Sequence, residues 1–165
     1  MPPAARPARR VVVFACGEPL RGDDAAASRA VAAVPLRSRL AADIRLVATL
    51  APEDLTGLED DATVLIVDAV SGVEPGTVVD IDLDDLPELV AVVSVRSTHQ
   101  LALDLVVGLA RVLGWDGPGA FIGIGGASFD TGSPLSEVVE RAMPAVREAI
   151  ESRIALWAEG PAVPG

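Results

Sequence analysis

The sequence predicts an α/β protein of three layers, αβα, in which a mostly parallel twisted sheet with one antiparallel edge strand lies between helices. Half of the 165 residues are hydrophobic while only 3% are aromatic. Val, Ala and Leu dominate, as in strands buried on both faces and the helices that cover them. Apolar runs of strand length alternate with helical segments, the pattern of parallel crossovers. Thr77 to Asp82 instead alternates apolar and polar residues, as an edge strand with one wet face does.

Taken in order, residues 1–10 are rich in Pro, Ala and Arg and are expected to form a disordered tail. Val11 to Ala15 reads as a buried first strand, and Cys16-Gly17-Glu18-Pro19 as the loop that ends it. Asp24 to Val34 has helical character, with Asp23 or Asp24 suited to cap its start and Pro35 marking its end. Ile44 to Thr49 is expected as a second strand and Pro52 to Leu58 as a short helix opened by its proline. Thr63 to Asp68 is a nearly all-apolar third strand closed by a carboxylate. After the edge strand, Asp84 to Glu88 is expected as a turn and Val90 to Val95 as a further strand. His99 to Leu113 carries Leu101, Leu105, Val106, Leu109, Val112 and Leu113 at helical spacing, with Gly114 as its C-terminal cap. Ala120 to Ile124 is the last strand, Ser136 to about Ala158 a closing helix, and 160–165 a loose tail. One domain, 11–159, accounts for the whole pattern, a size able to bury its own core.

Composition narrows the partners. A formal charge of -11, from 24 acids against 13 bases, opposes a long polyanion, which requires clustered Lys and Arg, so nucleic acid is not expected. Arg9-Arg10 precedes an apolar run of only six residues, Val11 to Cys16, shorter than the roughly 7–15 of an export signal. No apolar stretch approaches the roughly 18–20 residues that span a bilayer. The protein is therefore expected to be soluble and away from membranes. The single cysteine, Cys16, permits no internal disulfide, fits a reducing cytoplasm, and reads as a small apolar residue without a catalytic role.

In an open parallel sheet the ligand crevice lies at the carboxyl ends of the strands. Three polar clusters fall at such ends: Asp23-Asp24, Asp68, and Ser97-Thr98-His99. Two carboxylates and the chain's one imidazole form a mixed oxygen and nitrogen set suited to a divalent transition metal such as nickel or zinc. Each residue also has an ordinary reading. Asp24 suits a helix cap, Asp68 a turn, and His99 a structural histidine.

At these residues the chain resembles the hydrogenase maturation proteases. The likeness runs through Val11 to Asp24 (a strand, a turn, Leu20 and an acidic pair), Leu65-Ile66-Val67-Asp68-Ala69, Pro75-Gly76-Thr77, and Ser97-Thr98-His99-Gln100. It continues in the loop from Gly125 to Ser136. Departures are Ala15 and Glu18 in the first turn, where the family has Gly and Asn, and Ala25 after the acids. Thr49-Leu50-Ala51-Pro52-Glu53 replaces the Asp-Gly-Gly of many members and looks like a version from another branch. The resemblance implies Asp24, Asp68 and His99 as the metal-binding and catalytic set, with Glu18 either a fourth ligand or, as favoured here, a solvated charge.

The resemblance further implies an endopeptidase that removes the C-terminal extension of a nickel-iron hydrogenase large-subunit precursor after nickel insertion; separately, a cytoplasmic monomer is expected. The trio either holds its own nickel or zinc, which activates water, or touches nickel already in the client. The second is favoured as the basis of selectivity. The rival from another class is a phospho-acceptor receiver domain, with Asp23-Asp24, Asp68 and Ser97 or Thr98 in its roles. Against it, the acids stand eight residues beyond Ala15, and the chain has no lysine to follow the last strand.

Overall fold

The computed structural model describes residues 9–93 and 102–159. Five strands among these form one sheet in the order β2-β1-β3-β5-β4: β1 is Arg10–Cys16, β2 Ala42–Val47, β3 Ala62–Val70, β4 Val78–Asp82 and β5 Gly119–Gly125. β1 pairs in parallel with β2 and β3, and β3 with β5, whereas β4 runs antiparallel to β5 at the edge. This is the architecture the composition predicts. The ends of the elements move slightly. β1 takes in Arg10, which sequence reasoning assigns to the tail, and β2 begins and ends two residues earlier than expected.

The inner strands are apolar on both faces because helices cover both. Toward one side, Val13, Val67 and Ile122 meet α1 (Ala26–Ala33) and α6 (Glu137–Ala158). α1 packs closely through Ala26, Ala27 and Ala30, and α6 presents Val139, Val146, Ile150 and Ile154 along one stripe. Burial of each large member of that stripe contributes roughly 1.5–3 kcal/mol. Pro144 interrupts the backbone ladder of α6 on its exposed face, where water can satisfy the freed carbonyl of Glu140. Toward the other side, Phe14, Ile66 and Phe121 meet α3 (Pro52–Thr56) and α5 (Leu103–Val112). A short α2 (Leu36–Leu40) leads into β2. The polar face of β4 is secured from α6, where Arg153 bonds Asp80 at 2.8 Å and Asp82 at 3.0 Å.

One expected element fails. Residues 90–93 of the expected strand Val90 to Val95 lie in a helix, α4 (Leu86–Val93), preceded by a 3-10 turn at Leu83–Asp85 where a simple turn was expected. Leu83 and Leu86 are buried and Leu89 packs against the same core, a spacing of three that belongs to a helix. Pro87, in the first turn, fits that start. The helix expected before Gly114 is present as α5, which buries Val106, Val107 and Ala110 and leaves Leu105, Leu109, Val112 and Leu113 exposed. A helix apolar on most sides does not declare which side faces inward. Gly114 does follow its end, with φ +102.

Candidate functional site

β1, β3 and β5 run the same way, so the loops after Cys16, Val70 and Gly125 gather at one edge of the sheet. The turn after β1 is built around Gly17, whose φ of +124 suits glycine. Its N–H donates to the carbonyl of Val47 at 3.0 Å, which pins the turn to β2. The chain then folds back through a 3-10 turn at Gly22–Ala25. This sets Asp24, only 1% exposed, to accept the backbone N–H of Glu18 on Oδ2 at 2.7 Å. Asp24 is thus not a helix cap. The Glu18 side chain is exposed, as a solvated charge should be, and its contribution to Asp24 comes from its backbone.

Asp68 lies within β3, two residues before its end, and is 6% exposed. It projects to the same face as Ile66 and Val70, toward α3 and α5. Across β5 its register neighbour is Gly123, over which the Phe121 ring lies. Burial pushes the Asp68 carboxyl up to about 8, the Asp24 charge adds to the push, and the N–H of Ala69 opposes it. Its Oδ1 is buried with no hydrogen-bond partner among the described residues. Two carboxylates that feel one another in a dry place, one with an unanswered oxygen, are a donor pair that a cation would complete. No group of three or more metal-ligating side chains occurs among the described residues.

The two acids of the pair have separate tasks. Asp23, fully buried, accepts the N–H of Ala127 at 2.7 Å, of Ser128 at 3.1 Å and of Ser136 at 2.7 Å, and the Ser136 hydroxyl at 2.8 Å. Burial opposes its ionisation, but the N–H groups of Ser136, Ala127 and Ser128 together with that hydroxyl outweigh it and lower its pKa. Asp23 caps no helix of its own. Sequence reasoning missed this task, for which the only signal is the Ser136 that opens the last helix.

Cys16 is buried beneath the acids. Burial, and then the charges of Asp68, Asp54 and Asp24, hold its thiol well above the usual range, so it stays protonated and unreactive. Asp54, in the first turn of α3, accepts the N–H of Ala51 at 2.8 Å.

His99 lies outside the described residues, as do Ser97, Thr98 and Gln100. The segment re-enters at the start of α5. That helix's far end is fixed by Arg111, which donates to the Gly117 carbonyl at 2.7 Å and pairs with Asp84 at 3.3 Å. Asp84 follows the end of β4, opposite the start of β5. The N-terminus of α5 therefore points to the edge that carries Asp24 and Asp68.

Fold and site define a class: three-layer α/β proteins with a buried carboxylate pair at the carboxyl edge of a mostly parallel sheet. A family model described as HycI, hydrogenase maturation protease, matches residues 47–153. The chain belongs to the hydrogenase maturation protease family. Solved structures agree in fold. The maturation protease HybD from Thermococcus kodakarensis is 23% identical with a TM-score of 0.65, covering 90% of this chain and 99% of its own. The hydrogenase maturating endopeptidase HybD from E. coli is 22% identical with a TM-score of 0.67, covering 92% and 94%. A hydrogenase 2 maturation peptidase from a Thaumarchaeota archaeon is 25% identical with a TM-score of 0.57, covering 90% and 99%. No curated protein matches the sequence. The receiver alternative has no support. Receivers follow the order 2-1-3-4-5, whereas here the last two positions are exchanged and β4 is antiparallel.

Proposed function

We propose that this protease removes the C-terminal extension of a nickel-iron hydrogenase large-subunit precursor once nickel has been inserted, with Asp24, Asp68 and His99 as the reading and cutting set. Hydrolysis adds water across one peptide bond, leaving a new carboxylate on the client and a free amine on the released peptide. The observation that carries the reading is the buried pair, Asp68 held up to about 8 beside Asp24. Ionising the buried Asp68 beside Asp24 is costly without a cation, and a divalent cation carried by the client offsets that cost. Docking is then coupled to nickel in the client, so that a loaded precursor would be cut in preference to an unloaded one. Asp24, Asp68 and His99 would hold the metal, nickel or else zinc, as two oxygen ligands and one nitrogen ligand. When bound there it would polarise the scissile carbonyl or lower the pKa of water.

The partner is the precursor alone, and the working form is a cytoplasmic monomer, consistent with one buried free cysteine. No helix among the described residues is long and apolar enough to cross a membrane. The test is incubation with nickel-loaded and nickel-free precursor, read by intact mass. Loss of the extension from loaded client only is the expected result. Equal cutting of both would remove the metal-reading role, and cutting of neither would overturn the function. His99→Ala is expected to abolish processing with an unchanged circular dichroism spectrum. Loss of folding would instead make His99 a structural residue.

A further inference from the structure

Resting on that activity, we infer that Asp23 is a positioning residue for client binding: it holds the 126–136 loop rigid as the rim on which the precursor docks. Both oxygens of Asp23 are occupied by four donors, all from 127, 128 and 136 and none from its own turn. The backbones of the two loops are also joined. Asp23 N–H bonds the Ser128 carbonyl at 2.8 Å, Gly22 N–H that of Ser133 at 3.1 Å, and Gly132 N–H that of Leu20 at 2.7 Å. Gly22, at φ +57, permits this approach, because a Cβ there would stand 2.6 Å from the Ser128 carbonyl oxygen.

The loop so held sets Leu135 and the half-buried Phe129 against the core, but Ala127, Asp130, Thr131, Gly132 and Pro134 are exposed. Seating Leu135 and Phe129 accounts for the ends of the anchored segment and not for ordering its exposed stretch at 130–132. What the arrangement secures is an exposed surface adjoining the turn that holds Asp24. A loop ordered in advance does not lose its freedom when a client binds. Loosening it should therefore raise KM and leave kcat nearly alone.

The test compares Asp23→Asn, Ser136→Ala and Ser136→Thr, using nickel-loaded precursor for kinetics and amide hydrogen exchange at Ala127, Ser128 and Ser136 for the loop. Asn cannot accept at both positions. The expected result for Asp23→Asn is about a 30-fold rise in KM, kcat within about twofold, and faster exchange at the three amides. Ser136→Ala loses one hydrogen bond to a charged group and should raise KM about 5-fold, and Ser136→Thr, which keeps the hydroxyl, should restore it. Should Asp23→Asn not fold, the Ser136 pair decides alone. Faster exchange with unchanged KM, or a loss confined to kcat, would overturn the inference while leaving the protease reading intact. If the wild type cuts no precursor, the function falls and the inference with it.

Discussion

Asp68→Asn is expected to abolish precursor processing while making the folded protein more stable near pH 8. The asparagine keeps the shape of the carboxylate but cannot carry its charge, so a cation-reading site loses an anionic donor. Activity should fall by about 100-fold or more, the scale of losing a group aimed at the reacting centre. The stability change has the opposite sign because Asp68 is held up to about 8 by burial and by Asp24. Between about pH 4 and pH 8 the folded chain keeps a proton that the unfolded chain has released, so this residue's contribution to stability falls as pH rises. Below about pH 4 both states are protonated and the penalty disappears. The melting-temperature advantage of the variant should thus be small near pH 4.5 and grow toward pH 8 (rough bounds of the same window). A variant less stable than wild type near pH 8 would contradict the buried-pair account, and one that still processes precursor would remove Asp68 from the site.

Gly17→Ala should produce a comparable loss of activity through the turn that seats Asp24. A Cβ on Gly17 would stand 2.0 Å from the Asp24 carbonyl oxygen and 3.0 Å from its Oδ1, at a φ of +124. The turn must open, and a displacement of about 1 Å in a reacting group costs about 100-fold. Backbone strain adds about 1–3 kcal/mol of destabilisation. Gly114→Ala separates the two effects. That residue also has positive φ, +102, yet nothing lies within 4 Å of its would-be Cβ. It should lose stability through strain and retain activity when assayed well below its melting temperature. If both variants lose activity equally, global destabilisation rather than the seat of Asp24 explains the loss.

The lines that the sequence drew well are those where local composition leaves one outcome. β1, β3 and β5 are short apolar runs between turn residues, and no other arrangement buries them so fully. β4 shows its wet side in its alternation, and Ser136 announces α6. Where several outcomes satisfy the local pattern, it failed. Val90 to Val93 suits a strand until Leu83, Leu86 and Leu89 are seen against one core surface, and α5 offers apolar residues to both water and protein.

The candidate site divides in the same way. By itself the sequence determined that carboxylates close the first loop and lie near the end of the third strand, and hence that acids gather toward one edge of a parallel sheet. Only the tertiary structure decided which acid does what. Asp23 and Asp24 are adjacent and chemically identical, and they are told apart by Ala127, Ser128 and Ser136, more than a hundred positions along the chain, whose donors saturate Asp23. Asp24 holds the Glu18 N–H, and its charge adds to the burial that raises the Asp68 pKa. Desolvation and hydrogen-bond supply depend on what surrounds a group in three dimensions, and a carboxylate's own place in the chain specifies neither.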